Sequence, residues 1–335
     1  VSDATPWLEP VWQQVNRARL QSRLPHAMLL AGSEGIGKQL LADRIAHALL
    51  CEAPDDKGEA CGQCAACGWL HAGTHPDLLV LKPDEPGKAI KVDQVRALSA
   101  GLAITSHGGR YKVAIVCPAE AMNLNAANSL LKTLEEPTAN TLLILISAAP
   151  GRLLATVRSR CQQLQAPTPT QAQALDWLAA HGVQGEAATR SVLLAGGAPL
   201  RALGLHESGA EAVMAECLEQ LQALSEGRLD PLAVAGEWQG DDIALRLGSW
   251  RQWLQWLIRA RLVPVDKVAS DVAQKLQTIT ESVDCKALYQ FMDRIDSALA
   301  TLGSGLNRQL LLEDLMIRWA SMPTRRQNNV MQGSR

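Results

Sequence analysis

Four of the eight cysteines in the 335-residue chain crowd into residues 51–67 as Cys51, Cys61, Cys64 and Cys67, while Cys117, Cys161, Cys217 and Cys285 stand singly. Thiolates at this spacing are a donor set for tetrahedral Zn²⁺, and a disulfide framework is not expected of an intracellular chain. Four sulfurs would fill the coordination sphere and exclude water, so the site reads as a structural clip on an insertion. His71 and His75 are near enough in sequence to replace one sulfur. Glu52, Asp55, Asp56 and Glu59 surround the cluster against Lys57 alone, a balance that repels phosphate and argues against a nucleic-acid finger.

A second constellation is Gly32-Ser33-Glu34-Gly35-Ile36-Gly37-Lys38-Gln39, preceded by an apolar run and followed by a helical pattern. The spacing Gly-x4-Gly-Lys is that of a phosphate loop. Gly32, Gly35 and Gly37 would let successive N–H groups turn toward phosphate oxygens at a helix N-terminus, and Lys38 would reach the β- and γ-phosphates. Position 39 departs from the pattern, because such a loop ligates Mg²⁺ through a Ser or Thr hydroxyl and Gln39 offers an amide. The strand ending near Val116 should then carry acids that hold the metal shell and polarise water, but Cys117 and Pro118 stand there. A thiol near its ordinary pKa is mostly neutral, and proline supplies no base. Glu120 lies beyond the strand tip. The expectation is a fold able to hold ATP without turning it over.

The elements that must position these groups are legible as a rhythm. Apolar runs at 26–32, 77–81, 112–117 and 141–147 lack polar alternation, as buried parallel strands do, and helical patterns at 38–50, 92–104, 125–136 and 153–159 lie between and after them. Beyond Gln165 the strands stop, Pro167-Thr168-Pro169 marks a boundary, and helices follow near 171–181, 187–195 and from 208 to 321, with Gly196-Gly197 closing the short pair. With 32 Lys+Arg against 34 Asp+Glu and 47% hydrophobic residues, the chain can build a core but has no bulk attraction for nucleic acid. No run approaches the roughly 20 apolar residues of a membrane span, and the first residues lack a secretion signal, so a cytoplasmic place without membrane contact is expected.

Asn128-Ser129-Leu130-Leu131-Lys132-Thr133-Leu134-Glu135-Glu136-Pro137, followed after a strand by Ser159-Arg160-Cys161, resembles the clamp loader family of bacterial DNA polymerase III, of the AAA+ class. Gly73-Thr74-His75-Pro76-Asp77 after the cysteines, and Asn307-Arg308-Gln309-Leu310-Leu311-Leu312-Glu313-Asp314-Leu315 near the end, fit as well. The resemblance spans nearly the whole chain. It implies an α/β AAA+ domain over 1–166 with the zinc knuckle at 51–67, a small helical lid over 167–206, an all-α collar for oligomerisation over 207–327, and a flexible tail over 328–335. Within the family, the missing acids and hydroxyl point to the non-hydrolysing stator. Its implied partners are the gamma/tau motor subunits and the delta subunit, in an assembly that loads the sliding clamp onto primed DNA. Arg160, flanked by the motif residues Ser159 and Cys161, would then act as an arginine finger on ATP bound to the neighbouring motor. Arg158 stands two residues earlier, and only the motif match selects Arg160. Arg201, after Gly197-Ala198-Pro199-Leu200, is displaced from the sensor arginine of motor subunits and receives no role.

Trp250, Trp253, Leu254 and Leu257 recur at helical spacing, which reads as packing, while Arg251, Arg259 and Arg261 keep a base-stacking surface in view. No Ser, His and Asp are placed as a triad, and no carboxylate pair suits the nucleotidyl transfer of a polymerase. The rival readings are an active AAA+ motor ATPase and a zinc-containing DNA-binding adaptor.

Overall fold

Five short strands, four of them drawn from the apolar runs, pair side by side in parallel in the computed structural model, which describes residues 5–85, 87–107, 110–240, 242–262, 285–302 and 307–322. In chain order the first unit comprises α1 (Glu9–Leu20), β1 (Ala27–Ala31), α2 (Lys38–Leu50), α3 (Ala65–His71), β2 (Leu78–Leu81), α4 (Val92–Ala103), β3 (Lys112–Val116), α5 (Leu124–Glu135), β4 (Thr141–Ser147), α6 (Ala155–Arg158) and β5 (Gln162–Gln165). The sheet order is β2-β3-β4-β1-β5, with Ala27 opposite Leu143 and Leu29 opposite both Leu145 and Gln163.

Burial explains the order. β1 and β3 are buried at every residue, so they need neighbours on both sides and cover on both faces. Ala27, Leu29, Ala114, Val116, Leu143 and Leu145 share one core cluster with Val95, Leu98 and Leu102 of α4 and with Leu130 and Leu134 of α5. The alternating residues Met28, Leu30, Val113, Ile115, Leu142 and Ile144 are equally buried and point to the other face. The edge strand β5, with sequence Gln-Gln-Leu-Gln, buries only Leu164, which is why no apolar run announces it. The parallel α/β class expected from the rhythm is the one found.

The second unit, residues 170–335, is helical throughout its described residues: α7 (Gln171–Ala180), α8 (Gly185–Leu194), α9 (Pro199–Glu207), α10 (Glu211–Ser225), α11 (Pro231–Glu237), α12 (Ile243–Leu262), α13 (Cys285–Thr301) and α14 (Arg308–Ala320). Gly196 and Gly197 end α8 with φ of 65° and 82°, and their amides return to Leu193 and Val192. Trp250 and Trp253 are 1% exposed, and Trp250 meets Trp238, Phe291 and Trp319 at ring distances of 5.6, 5.0 and 5.4 Å. Those indoles are core, not a base-stacking platform. Arg251 is paired with Asp296 at 2.5 Å, and the side chains of Arg259 and Arg261 lie outside the described residues.

Candidate functional site

α2 carries a site at each end. At its N-terminus, the loop leaves the carboxyl end of β1 through three glycines at positive φ: Gly32 at 156°, Gly35 at 75° and Gly37 at 91°. A Cβ on Gly32 would lie 2.7 Å from the Ala166 carbonyl oxygen, and one on Gly37 would lie 2.7 Å from Thr5 Cγ2. The fold itself therefore demands glycine at both positions, whatever the loop binds. Trp7, 3% exposed, donates its indole N–H to the Ile36 carbonyl at 2.8 Å and fixes the loop from behind. Lys38 is 6% exposed and donates Nζ to the carbonyls of Gly32 at 2.7 Å and Ser33 at 2.6 Å, so its ammonium lies over the loop.

The positions that should hold a metal are otherwise engaged. Gln39 donates Nε2 to Asp43 at 2.9 Å, one turn along α2. Burial pushes the Cys117 thiol up, only partly opposed by the nearby Lys38 charge, so it is a neutral thiol at neutral pH. Glu120 accepts from the amides of Ala148 at 2.9 Å and Ala149 at 3.1 Å, which makes it an anchor for the chain leaving β4.

At the C-terminus of α2, Cys51 is the capping residue and opens the cysteine insertion. The sulfurs of Cys51, Cys61, Cys64 and Cys67 all lie within 4.8 Å of one another, with Cys51 to Cys64 and Cys61 to Cys67 both at 3.9 Å. A tetrahedral Zn²⁺ with bonds of about 2.3 Å needs sulfurs about 3.8 Å apart, so the four fit the ion. Amides point at the sulfurs: Cys61 N–H reaches Cys51 Sγ at 3.2 Å, Cys64 N–H reaches Cys61 Sγ at 3.4 Å, and Cys67 N–H reaches Cys64 Sγ at 3.4 Å as α3 begins. Such donors favour the thiolate that a metal requires. Burial alone would raise Cys64, but amides of Cys67 and Glu52 bring it down to about 6; burial and the Cys64 sulfur drive Cys67 up to about 12. His75 accepts from the Asp77 amide at 3.1 Å, and among the described residues neither it nor His71 joins the cluster.

Three arginines brace this insertion. Arg19 donates to the carbonyls of Ala48 at 2.7 Å and Gly58 at 3.0 Å, Arg110 to those of Cys51 and Glu52, both at 2.9 Å, and Arg44 bridges Glu59 to Glu9 while stacking over Trp12. None of them stands out in the sequence, because each acts across 15 or more positions.

The Ser159-Arg160-Cys161 segment turns out of α6 at the rim of the same core. Cys161 is buried within the core cluster, where burial holds its thiol up at about 11, and the Ser159 hydroxyl closes back on the Thr156 carbonyl at 3.1 Å. Arg160 lies between them with its side chain 37% exposed, donating Nη1 to Thr156 O at 3.0 Å and Nη2 to Glu135 Oε1 at 2.7 Å. Arg158 differs: its Nε is buried and has no hydrogen-bond partner among the described residues. Arg201, in the other unit, donates Nη2 to Ser249 Oγ at 2.7 Å.

A family model described as DNA polymerase III, delta subunit, matches residues 7–170, and one described as DNA polymerase III, delta subunit, C terminal, matches residues 214–321. DNA polymerase III subunit delta' of Pseudomonas aeruginosa is 39% identical, covering 96% of this chain and 99% of that relative. The subunit of the same name from Escherichia coli is 32% identical, covering 93% of this chain and 94% of its own. The solved structure of a gamma subunit-related protein of DNA polymerase III from Thermotoga maritima covers 96% of this chain and 99% of its own, at 16% identity and a TM-score of 0.39. That distance leaves the fold assignment to the strand order itself. With both family models matched and full-length relatives above 30% identity, the chain belongs to the delta-prime subunit family of the bacterial DNA polymerase III clamp loader.

Proposed function

We propose that this chain is the non-hydrolysing stator of the clamp loader, which assembles with gamma/tau and delta subunits in the cytoplasm and supplies Arg160 in trans to the adjacent motor ATPase. The observation that carries the reading is the state of the phosphate-loop end of α2. Gln39 is turned to Asp43, and the tip of β3 offers a neutral Cys117 where a metal-holding acid is needed. Gly32, Gly35, Gly37 and Lys38 keep a loop that could accept a nucleotide, without the groups that position Mg²⁺ and water. Zinc on Cys51, Cys61, Cys64 and Cys67 would serve the fold alone, since four thiolates complete its sphere.

Arg160 supports the trans role by its placement. A guanidinium is permanently charged and planar, and at an exposed rim it can enter a neighbour's site and balance charge developing on the transferred phosphoryl group. Its guanidinium, half-exposed and held at the rim, suits that better than Arg158, whose Nε is buried. The helices over 167–206 serve as a lid and those over 207–327 as the collar that joins subunits, so that the assembly can place the sliding clamp on primed DNA.

The test is Arg160→Ala in the complete assembly. The variant is expected to fold and assemble normally while phosphate release at the adjacent motor site slows by about 10³-fold, the size of a lost arginine finger. An unchanged burst of phosphate release in a correctly assembled complex would remove Arg160 from the mechanism.

A further inference from the structure

The two sequence segments most characteristic of this chain, Leu130-Leu131-Lys132-Thr133-Leu134-Glu135-Glu136-Pro137 and Ser159-Arg160-Cys161, lie apart in sequence and are joined by the ion pair of Arg160 Nη2 with Glu135 Oε1 at 2.7 Å. We infer that Glu135 is a positioning residue for Arg160, fixing the guanidinium in the orientation from which it enters the neighbouring subunit's nucleotide site. The inference rests on the trans-finger reading and adds to it the group that aims the finger.

The contact is built by the core beneath it. Glu135 is the last residue of α5, and its neighbour Leu134 is 3% exposed; Arg160 is followed by Cys161, 8% exposed, and α6 contributes Val157 at 0%. Leu134, Val157 and Cys161 belong to one core cluster, so the two backbones that carry Glu135 and Arg160 are locked to each other. Thr133 adds a tie from α5 to Ser99 of α4 at 2.8 Å. Against this fixed base the long arginine side chain would otherwise sample many rotamers. Thr156 O takes one Nη1 proton and Glu135 takes one Nη2 proton, leaving the remaining N–H donors free to face outward.

Stability does not explain the pair. Glu135 is 50% and Arg160 37% exposed, and solvent-screened pairs of this kind add little to folding. A carboxylate on the last residue of a helix is also placed against the helix dipole. The same pair gains importance once a neighbouring subunit covers it, because water no longer competes for the guanidinium. A charge-assisted hydrogen bond that holds the finger then acts on the rate at the adjacent site, with no requirement on nucleotide affinity.

The experiment is a double-mutant cycle in the reconstituted complex of this chain with motor and delta subunits, clamp and primed DNA, read as single-turnover phosphate release and as nucleotide affinity. Glu135→Ala is expected to slow release at the adjacent site by about tenfold with affinity unchanged. Glu135→Gln, which keeps an acceptor, should slow it by about threefold. In an Arg160→Ala background, Glu135→Ala should add nothing, because its whole effect passes through the arginine. If Arg160→Ala slows release and neither Glu135 variant does, or if they accelerate it, Glu135 does not aim the finger. If Glu135→Ala slows release equally in both backgrounds, its role is a structural one independent of Arg160. If Arg160→Ala itself changes nothing, the underlying trans-finger reading fails, and that result is distinct from the other two.

Discussion

The two ends of α2 are built on opposite principles. At the N-terminal end the shape is made by the backbone, with three glycines at positive φ, while Gln39 is turned to Asp43 and Cys117 is a neutral thiol. At the C-terminal end the shape is made by side chains, and all four thiols, their amide donors and the arginines around them are in place. The loop's backbone is held by packing whatever it binds: Gly32 faces Ala166, Gly37 faces Thr5, and Trp7 holds Ile36. The phosphate loop is therefore held by the fold itself, and the cysteine knuckle is a donor set whose geometry fits one tetrahedral ion.

The sharpest way to break this contrast is to remove one knuckle ligand. Cys64→Ser should abolish a stoichiometric zinc measured by metal analysis and lower the unfolding free energy by about 4 kcal/mol, as loss of a structural metal does. A native chain purified without zinc, and as stable as the variant, would contradict it. Gly58→Ala comes next. At φ of +84° its Cβ would meet Arg19 Nη2 at 2.2 Å and Asn16 Oδ1 at 2.4 Å, so the brace between α1 and the knuckle must open. A loss of about 2 kcal/mol in denaturant unfolding is expected, together with faster zinc release to a chelator. An alkylation experiment separates the cysteines by reactivity. At pH 7 a chelator should speed modification of the thiols at 51–67 by more than about tenfold and leave Cys161 untouched, since burial holds it near 11 and protonated well above neutral pH. Modification of Cys161 in the folded chain would mean that the rim beside Arg160 opens. The smallest effect is expected at the other end of α2. Gln39→Thr restores a hydroxyl but not the acid absent after β3, so the isolated variant should show no ATP turnover above the wild-type chain.

Much of the fold could be read in advance because four of its five strands are mostly apolar runs; 141–147 and the helix at 38–50 are found with the boundaries expected. Four elements escaped: α9 at Pro199–Glu207 fills the stretch read as a gap between Gly196-Gly197 and residue 208, and three others were hidden for physical reasons. β5 is an edge strand with one buried residue, so it has no apolar run to show. α3 begins among the cysteines, where metal spacing dominates the reading. α1 carries Val11, Trp12 and Val15 at helical spacing but lies ahead of the first strand and contains no chemistry that draws notice. Within the sites, the residue types were legible and their contacts were not. Trp7 to Ile36, Arg110 to Cys51 and Arg160 to Glu135 join segments that only the folded sheet brings together.

The most direct measurement is ATP hydrolysis by the purified chain alone, and then with motor and delta subunits, clamp and primed DNA. A stator that completes a neighbour's site predicts no turnover by the isolated chain and strong turnover in the mixture. Robust, Mg²⁺-dependent hydrolysis by the isolated chain would contradict it, because Gln39, Cys117 and Pro118 would then be supporting a motor.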